Sequence, residues 1–422
     1  MHQPVESMHD ARAHDAREPA RGDVVFCFSY LSWEAAARRG WFGTEDRLAR
    51  GLLENERVGR LLVCDQMRSR PVVAARDLIG RVRHTRAGAG SGRFPASPTA
   101  QLLRPMGLRR EYPTSIAGVE RMAGALDRAA RGAAARMGLL EPAVILAHPL
   151  LAGFAELEWA GPVTFFATDD WLAYEPQRRW WPAYQESFRR VRERGRRVAA
   201  VSAAALERIA PSGPSAVIPN GIDPAEWLGP ARAPAPAPAG DAQTGRDAQT
   251  GRPPQTGRPL LVYAGTLDSR LDVAGLSELA RRMPAARLVL VGPLLDAPHL
   301  QALRASTNVE IRPPLGRLEL VALLRAADVG LVPHVDNPLT RAMSPLKLYE
   351  YLAAGLPVVA SDLAPMREVD ASVTLVPLGE RYAPAVEAAL ARGRPSEQAR
   401  KDFIARNSWQ MRHERLLDLA LA

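Results

Sequence analysis

A chain of 422 residues with 47% hydrophobic content can bury two separate cores, and its formal charge of +9 points to an anionic partner such as nucleotide phosphates, an anionic lipid surface or nucleic acid. Charge alone does not choose among them. No uninterrupted apolar stretch reaches the roughly 18 residues needed to span a bilayer, and the start "MHQPVESMHDARAHDAREPARGD" has no apolar h-region, so we expect neither a standard secretory signal nor a transmembrane chain.

Cys27 and Cys64 each lie in or beside an apolar run, which reads as two buried thiols and fits a reducing cytoplasm. Nearly all the positive charge is arginine. The only lysines are Lys347 and Lys401, and a lysine at 347 therefore stands out.

Along the chain, residues 1–22 are polar and poor in large apolar side chains and read as a disordered tail. From Asp23 onward short apolar runs recur between helical patterns: "VVFCF" at 24, "LLVC" at 61, "AVILA" at 143, "VTFFA" at 163, "VAAVS" at 198 and "AVIP" at 216. Runs this short and continuous predict parallel strands buried on both faces. Residues 229–259 interrupt the series with an Ala-Pro tract and the repeated "DAQTGR", a composition that predicts a linker.

A second series follows with "LLVYAG" at 260, "ARLVLVGP" at 286, "NVEIR" at 308, "VGLVPH" at 329, "LPVVASD" at 356 and "SVTLVP" at 372. Two successive βα arrays predict two Rossmann-like, doubly wound parallel-sheet domains, over 23–228 and 260–400, with the ligand site in the cleft between them. The segment 401–422 predicts an amphipathic helix with Phe403, Trp409, Leu416, Leu417 and Leu421 on its packing side.

The stretch "MSPLKLYEYLAAGLPVVASD" at 343–362 carries the chemistry. Ser344 is expected to cap a helix whose first residue is Pro345, with Leu346, Tyr349 and Ala353 as its packed stripe and Gly355 as its left-handed stop. Its leading amides form an anion site that Lys347 strengthens, suited to a diphosphate. Glu350 lies on the order of 8 Å along the axis from the helix start, about the distance from a nucleotide's phosphates to its ribose hydroxyls. Read without context, Lys347 and Glu350 could equally be an exposed i,i+3 ion pair.

"SPLKLYEYLAAGLPVVAS" resembles the nucleotide-binding motif of GT-B glycosyltransferases of family 4, in the branch that reads "SPxKxxEYxAAGxPVVAS". The resemblance covers most of residues 140–420 and is weak before that. It implies a GT-B fold and sugar transfer from a nucleotide-diphosphate sugar to a hydroxyl of a glycan or lipid-linked acceptor, with retention. Glu350 would bind the donor ribose, and the backbone around Ser344, Pro345, Leu346 and Lys347 would hold the diphosphate. "YAGTLDSRLD" is similar to the first loop of the family's donor domain, which places Gly265, Thr266 and the cation Arg270 at the phosphates. By the same likeness the loop 312–315 would border the base. "VIPNGID" at 217–223 matches the family's phrase before the interdomain link, and "RNSWQMRHERLL" its helix crossing back onto the first domain, so that 401–422 would join that domain.

Two positions depart from the family pattern. Ala342 stands where many members have a sugar-contacting Glu, although the SPxK branch commonly lacks it, and Thr266 stands where an arginine is usual. A catalytically degenerate donor-binding protein is therefore the alternative.

On the acceptor side, His148 follows the strand "VILA" and Asp169 and Asp170 follow "TFFA", at strand ends that face the cleft. His148 is a candidate for contact with the transferred sugar or the acceptor, the two aspartates for acceptor binding, and each has a structural alternative as a hydrogen-bonder or loop cap. Lys347, Arg270 and helix amides would stabilise the departing diphosphate, so we expect no metal and no cofactor besides the co-substrate. "RRWWPAYQESFRRVRERGRR" at 178–197 has arginines and aromatics that would suit an anionic membrane surface, or simply a solvated helix with a packed aromatic side. A dinucleotide oxidoreductase is disfavoured because "GAGSG" at 88 follows no strand, and a nucleic-acid binder because no recognition motif accompanies the charge.

Overall fold

The computed structural model describes residues 20–69, 94–107, 112–228 and 257–422. Residues 1–19, most of the expected linker and the "GAGSG" segment lie outside these. The first seven-stranded sheet has the order β4-β2-β1-β6-β7-β8-β9. Its strands are β1 (Gly22–Cys27), β2 (Val58–Cys64), β4 (Ala100–Leu103), β6 (Ala143–Leu146), β7 (Val163–Ala167), β8 (Arg197–Ala200) and β9 (Ser215–Val217). Two residues each of β3 (Arg68–Ser69) and β5 (Met106–Gly107) pair separately.

The second sheet has the order β12-β11-β10-β13-β14-β15, built from β10 (Leu260–Ala264), β11 (Arg287–Val291), β12 (Val309–Arg312), β13 (Val329–Val332), β14 (Val358–Ser361) and β15 (Thr374–Val376). Every pairing in both sheets is parallel. This is the GT-B arrangement of two Rossmann-like domains.

Each apolar run is a strand covered on both faces. In β1, Val25 and Cys27 join one core while Val24 and Phe26 join the other; in β10, Val262 and Ala264 divide from Leu261 and Tyr263 in the same way. Burying one such side chain contributes about 1.5–3 kcal/mol, which is why these runs lack the polar alternation of a half-exposed sheet. Cys27 and Cys64 are buried free thiols in register on neighbouring strands.

Strand order reverses between β1 and β6 in the first sheet and between β10 and β13 in the second. Loops splay apart at such points, so a doubly wound sheet has its crevice there. The residues just beyond these four strands are Phe28–Tyr30, Ala147–His148, Gly265–Thr266 and Pro333–His334.

The C-terminal segment differs from the single helix expected over 401–422. Two helices, Glu397–Arg406 and Trp409–Leu421, meet at Asn407–Ser408, where Ser408 caps the second by accepting from the Met411 amide. Phe403 and Ile404 pack in the second domain; only from Trp409 does the chain lie on the first, burying Leu416, Leu417 and Ala420. The break is fixed by backbone bonds to the interdomain strand: the Ile222 amide donates to Asn407 (2.9 Å) and the Trp409 amide to Ile222 (2.8 Å). A Cβ on Gly221 would stand 3.0 Å from the Asn407 carbonyl oxygen and 3.1 Å from the Trp409 amide nitrogen, a tight fit that favours glycine at the crossing.

The basic-aromatic segment also resolves. Trp180, Tyr184 and Phe188 are buried; three of the arginines pair with nearby carboxylates, Arg189 with Glu186 and Glu193, Arg190 with Glu186 and Glu120, Arg194 with Glu156, and Arg192, Arg196 and Arg197 bond backbone carbonyls. The helix Trp181–Glu193 thus has a packed aromatic side and a charge-balanced outer side. No helix among the described residues is long and apolar enough to cross a membrane.

Candidate active site

The helix Leu346–Ala353 lies between β13 and β14 with Leu348, Tyr349, Glu350, Tyr351, Leu352 and Ala353 all buried, a wider apolar surface than the expected stripe. Ser344 does not cap it. Pro345 takes the N-cap position without a side-chain bond, and the Ser344 hydroxyl instead accepts the Asn220 amide (3.1 Å) while Asn220 Nδ2 donates to the Ser344 carbonyl (2.7 Å). Asn220 Oδ1 in turn accepts from Thr44 of the first domain (2.5 Å). The reason is tertiary: Asn220 holds the Ser344 side chain across the domain junction and away from the leading amides of the helix.

The first-turn amides of Leu346 and Lys347 have no intrahelical acceptor by helix geometry. Lys347 extends from that turn toward the loop after β10, its Nζ 3.4 Å from His334 Nε2 and 4.8 Å above the Tyr263 ring. Gly265 makes room for it. At φ +153° Gly265 is in a region that favours glycine, and a Cβ there would meet Lys347 Cε at 2.7 Å. Desolvation, reinforced by the Arg270 charge, pulls the Lys347 ammonium down to about 7, against opposition from Asp268 and Glu350.

Arg270 is half-buried and held in a fork by Asp268, through Nε (2.9 Å) and Nη2 (2.8 Å). Burial disfavours its charge, but Asp268 more than offsets that and keeps the guanidinium ionised. The Thr266 carbonyl accepts from Tyr263 Oη (3.0 Å), which ties down the same loop. His334, which sequence reasoning missed, is sealed at 1% exposure with Nδ1 unpartnered among the described residues. Burial, followed by the Lys347 and Arg270 charges, holds it neutral, so its Nε2 can accept from Lys347.

Glu350 is 7% exposed, and its partner is not Lys347. Arg317, the first residue of the helix Arg317–Ala326, donates Nη1 to Glu350 Oε1 and bonds Glu226 Oε2 through Nη2 (2.5 Å) and Nε (3.0 Å). Glu226 also pairs with Arg47 of the first domain (2.5 Å). Ala342 is buried, and its carbonyl accepts from Ser202 of the first domain (2.5 Å).

Facing these groups, the first domain offers mostly neutral surface. His148 is fully buried and is itself a helix cap: Nδ1 accepts the Leu150 amide (3.1 Å) at the start of the helix Pro149–Phe154. Its ring stacks on Tyr112 with centroids 4.2 Å apart and contacts Tyr30 and Trp171. Burial pulls its pKa down to about 3. With Nδ1 accepting, the proton sits on Nε2, which has no partner among the described residues.

The two aspartates separate. Asp169 is exposed to solvent in the cleft, where the surrounding walls raise its carboxyl and the Arg270 charge opposes that rise. Asp170 is buried, accepts the Leu172 amide (3.1 Å) and pairs with Arg208 Nε (2.7 Å), a loop-fixing role. Glu45 was not anticipated either. Its carboxyl accepts from the Ser29 amide and hydroxyl and from Thr168, and burial, partly offset by those bonds, pushes it up to about 7.

Residues 258–392 match the family described as Glycosyl transferases group 1. A putative teichuronic acid biosynthesis glycosyltransferase of Bacillus subtilis is 33% identical over 108 residues, which are 25% of this chain and 27% of that protein, so the match spans about a quarter of the relative's length. Sucrose-phosphate synthase from Thermosynechococcus elongatus superposes with a TM-score of 0.61 at 15% identity, over 94% of this chain and 97% of its own. A UDP-forming alpha,alpha-trehalose-phosphate synthase from Burkholderia vietnamiensis gives 0.60 at 16% identity, over 95% and 99%. Such structural likeness fixes the fold over nearly the whole chain, while the sequence matches cover part of it, mainly the second domain. The chain has the GT-B fold, and within its second domain residues 258–392 are similar to the Glycosyl transferases group 1 family.

Proposed function

We propose that the protein transfers a sugar from a nucleotide-diphosphate donor to a hydroxyl of a glycan or glycolipid acceptor. The observation that carries this reading is the grouping of Lys347, Arg270 and two helix amides without an intrahelical acceptor at one end of the helix Leu346–Ala353, with Glu350 a turn further along. A diphosphate needs cations and N–H donors, and a ribose needs an acceptor for two vicinal hydroxyls; the start of this helix offers the first and Glu350 the second. When the glycosidic bond breaks, the diphosphate takes the electron pair. Donors already aimed at its oxygens lower that barrier without reorganising. Lys347 and Arg270 provide the positive field, so in our reading no metal is required. Retention follows only from the family resemblance, and a lipid-linked acceptor and a cytoplasmic location belong to the same proposal.

The UDP-forming neighbour makes UDP the first nucleotide to try. Thermal shifts with UDP, GDP and ADP and their sugars should single out one base, and Glu350→Ala should abolish that response. No response to any nucleotide, or an unchanged one in the variant, would refute the reading. A second reading, donor binding without turnover, is favoured by Ala342, whose buried methyl supplies no carboxylate to the sugar. Binding of the intact donor with no nucleoside diphosphate released, by transfer or by hydrolysis, would decide for it.

A further inference from the structure

Five charged side chains run through the domain junction. Arg47 of the first domain pairs with Asp223 (3.0 Å) and Glu226 (2.5 Å) of the interdomain segment, and Glu226 passes to Arg317, which reaches Glu350. Arg317 is 13% exposed, with its guanidinium carbon 5.4 Å from the Phe42 ring centroid and 5.5 Å from that of Trp227. A guanidinium flanked by two rings and bonded to two carboxylates has little freedom. Its orientation is therefore set by residues from three parts of the chain.

The consequence falls on Glu350. Arg317 takes Oε1, while Oε2 has no hydrogen bond among the described residues and is not one of the sealed, unsatisfied atoms. We infer that Arg317 is a positioning residue for the donor site: it fixes one oxygen of Glu350 so that the other is presented to the vicinal hydroxyls of a nucleotide ribose. The inference rests on the proposed donor-binding role of Glu350. An unconstrained glutamate would divide its time among rotamers, and the ribose would bear the entropic cost of selecting one. The pair also tethers the ribose contact to Arg47, and hence to the first domain, through Glu226.

The test uses the full chain and whichever of UDP, GDP and ADP binds the wild type, with its 2′,3′-dideoxy counterpart, titrated by calorimetry. Arg317→Gln should weaken the ribonucleotide about tenfold and leave the dideoxy ligand within about twofold, the size expected from loss of one charge-assisted alignment. Glu226→Gln, which leaves both guanidinium partners in place but loosens one, should produce the same selectivity at about threefold, and it decides the matter if Arg317→Gln does not fold. Equal weakening of both ligands, or of neither, overturns the inference. Glu350→Gln separates the two levels. If it discriminates ribose from dideoxyribose and the Arg317 and Glu226 variants do not, only the positioning role falls; if it does not discriminate, or if no nucleotide binds, the donor reading falls with it.

Discussion

The two walls of the cleft are built from different materials. The second domain concentrates charge, with Lys347, Arg270, Asp268 and the Arg317–Glu350 pair all half-buried or deeper. The first presents an aromatic nest of Tyr30, Tyr112, Trp171 and Tyr184 around a neutral histidine. Charge at one wall suits a ligand that is itself charged and much the same in every donor, the nucleoside diphosphate. Rings and neutral N–H groups suit a surface rich in hydroxyls and C–H faces. The contrast teaches that the donor end should be sensitive to pH and charge removal, and the other end to shape.

The most severe way to probe the charged wall is Lys347→Met, which should lower the transfer rate by about 10²–10³, the usual effect of losing one preorganised electrostatic donor. The wild type should carry a pH signature that the variant lacks. With the free ammonium at about 7, a bound diphosphate raises its pKa, so binding takes up a proton above that pH. Donor affinity should then weaken by up to about tenfold per pH unit from 7 upward until the bound-state pKa is reached. A flat wild-type profile between pH 7 and 8.5, or the same slope in Lys347→Met, would break the assignment.

The neutral wall is probed by His148. Its folded pKa of about 3 lies below the ordinary 6.5, so the unfolded chain binds the proton more readily. Its stabilising effect is complete above pH 6.5 and is lost as pH falls from there toward 3, at up to about 1.4 kcal/mol per unit. His334 and His413, both depressed chiefly by burial, act with the same sign. His148→Asn keeps a capping side chain and should remove this histidine's share of the slope; chemical denaturation at pH 7, 5.5 and 4.5 measures it. If Nε2 also meets the substrate, turnover falls while nucleotide affinity holds.

How much of this was legible depended on how local the cause was. Continuous runs such as "VVFCF" and "RLVLV" show strands because burial on both faces leaves no room for polar residues, whereas the edge strand "AQLL" at 100 has one polar position and escaped notice. Lys347 and Glu350 were visible because one helix carries both. Arg317 was not, since it meets Glu350 across 33 residues and Glu226 across 91, separations that only the assembled domains close. Ser344 was misread for the same reason: its partner Asn220 is 124 residues away. The ion pairs of Arg189 and Arg190 with Glu186 and Glu193 were legible in principle, because those residues stand three and four positions apart in one helix.

The smallest expected effect discriminates most finely between the walls, because it compares adjacent residues of one type. Asp170 is sealed against Arg208 and an amide, so Asp170→Asn should cost about 1–3 kcal/mol in stability by weakening a buried charge-assisted contact. Asp169 is open to the cleft, its only side-chain hydrogen bond among the described residues being the one from the Asp170 amide (3.2 Å), and Asp169→Asn should stay within about 0.5 kcal/mol of the wild type. If Asp169 serves the acceptor, its variant raises the acceptor KM and leaves the donor KM alone. Should Asp169→Asn instead shift donor affinity, the carboxylate acts through Arg270, whose charge it opposes across the cleft, and the division between a charged donor wall and a neutral acceptor wall would have to be redrawn at that residue.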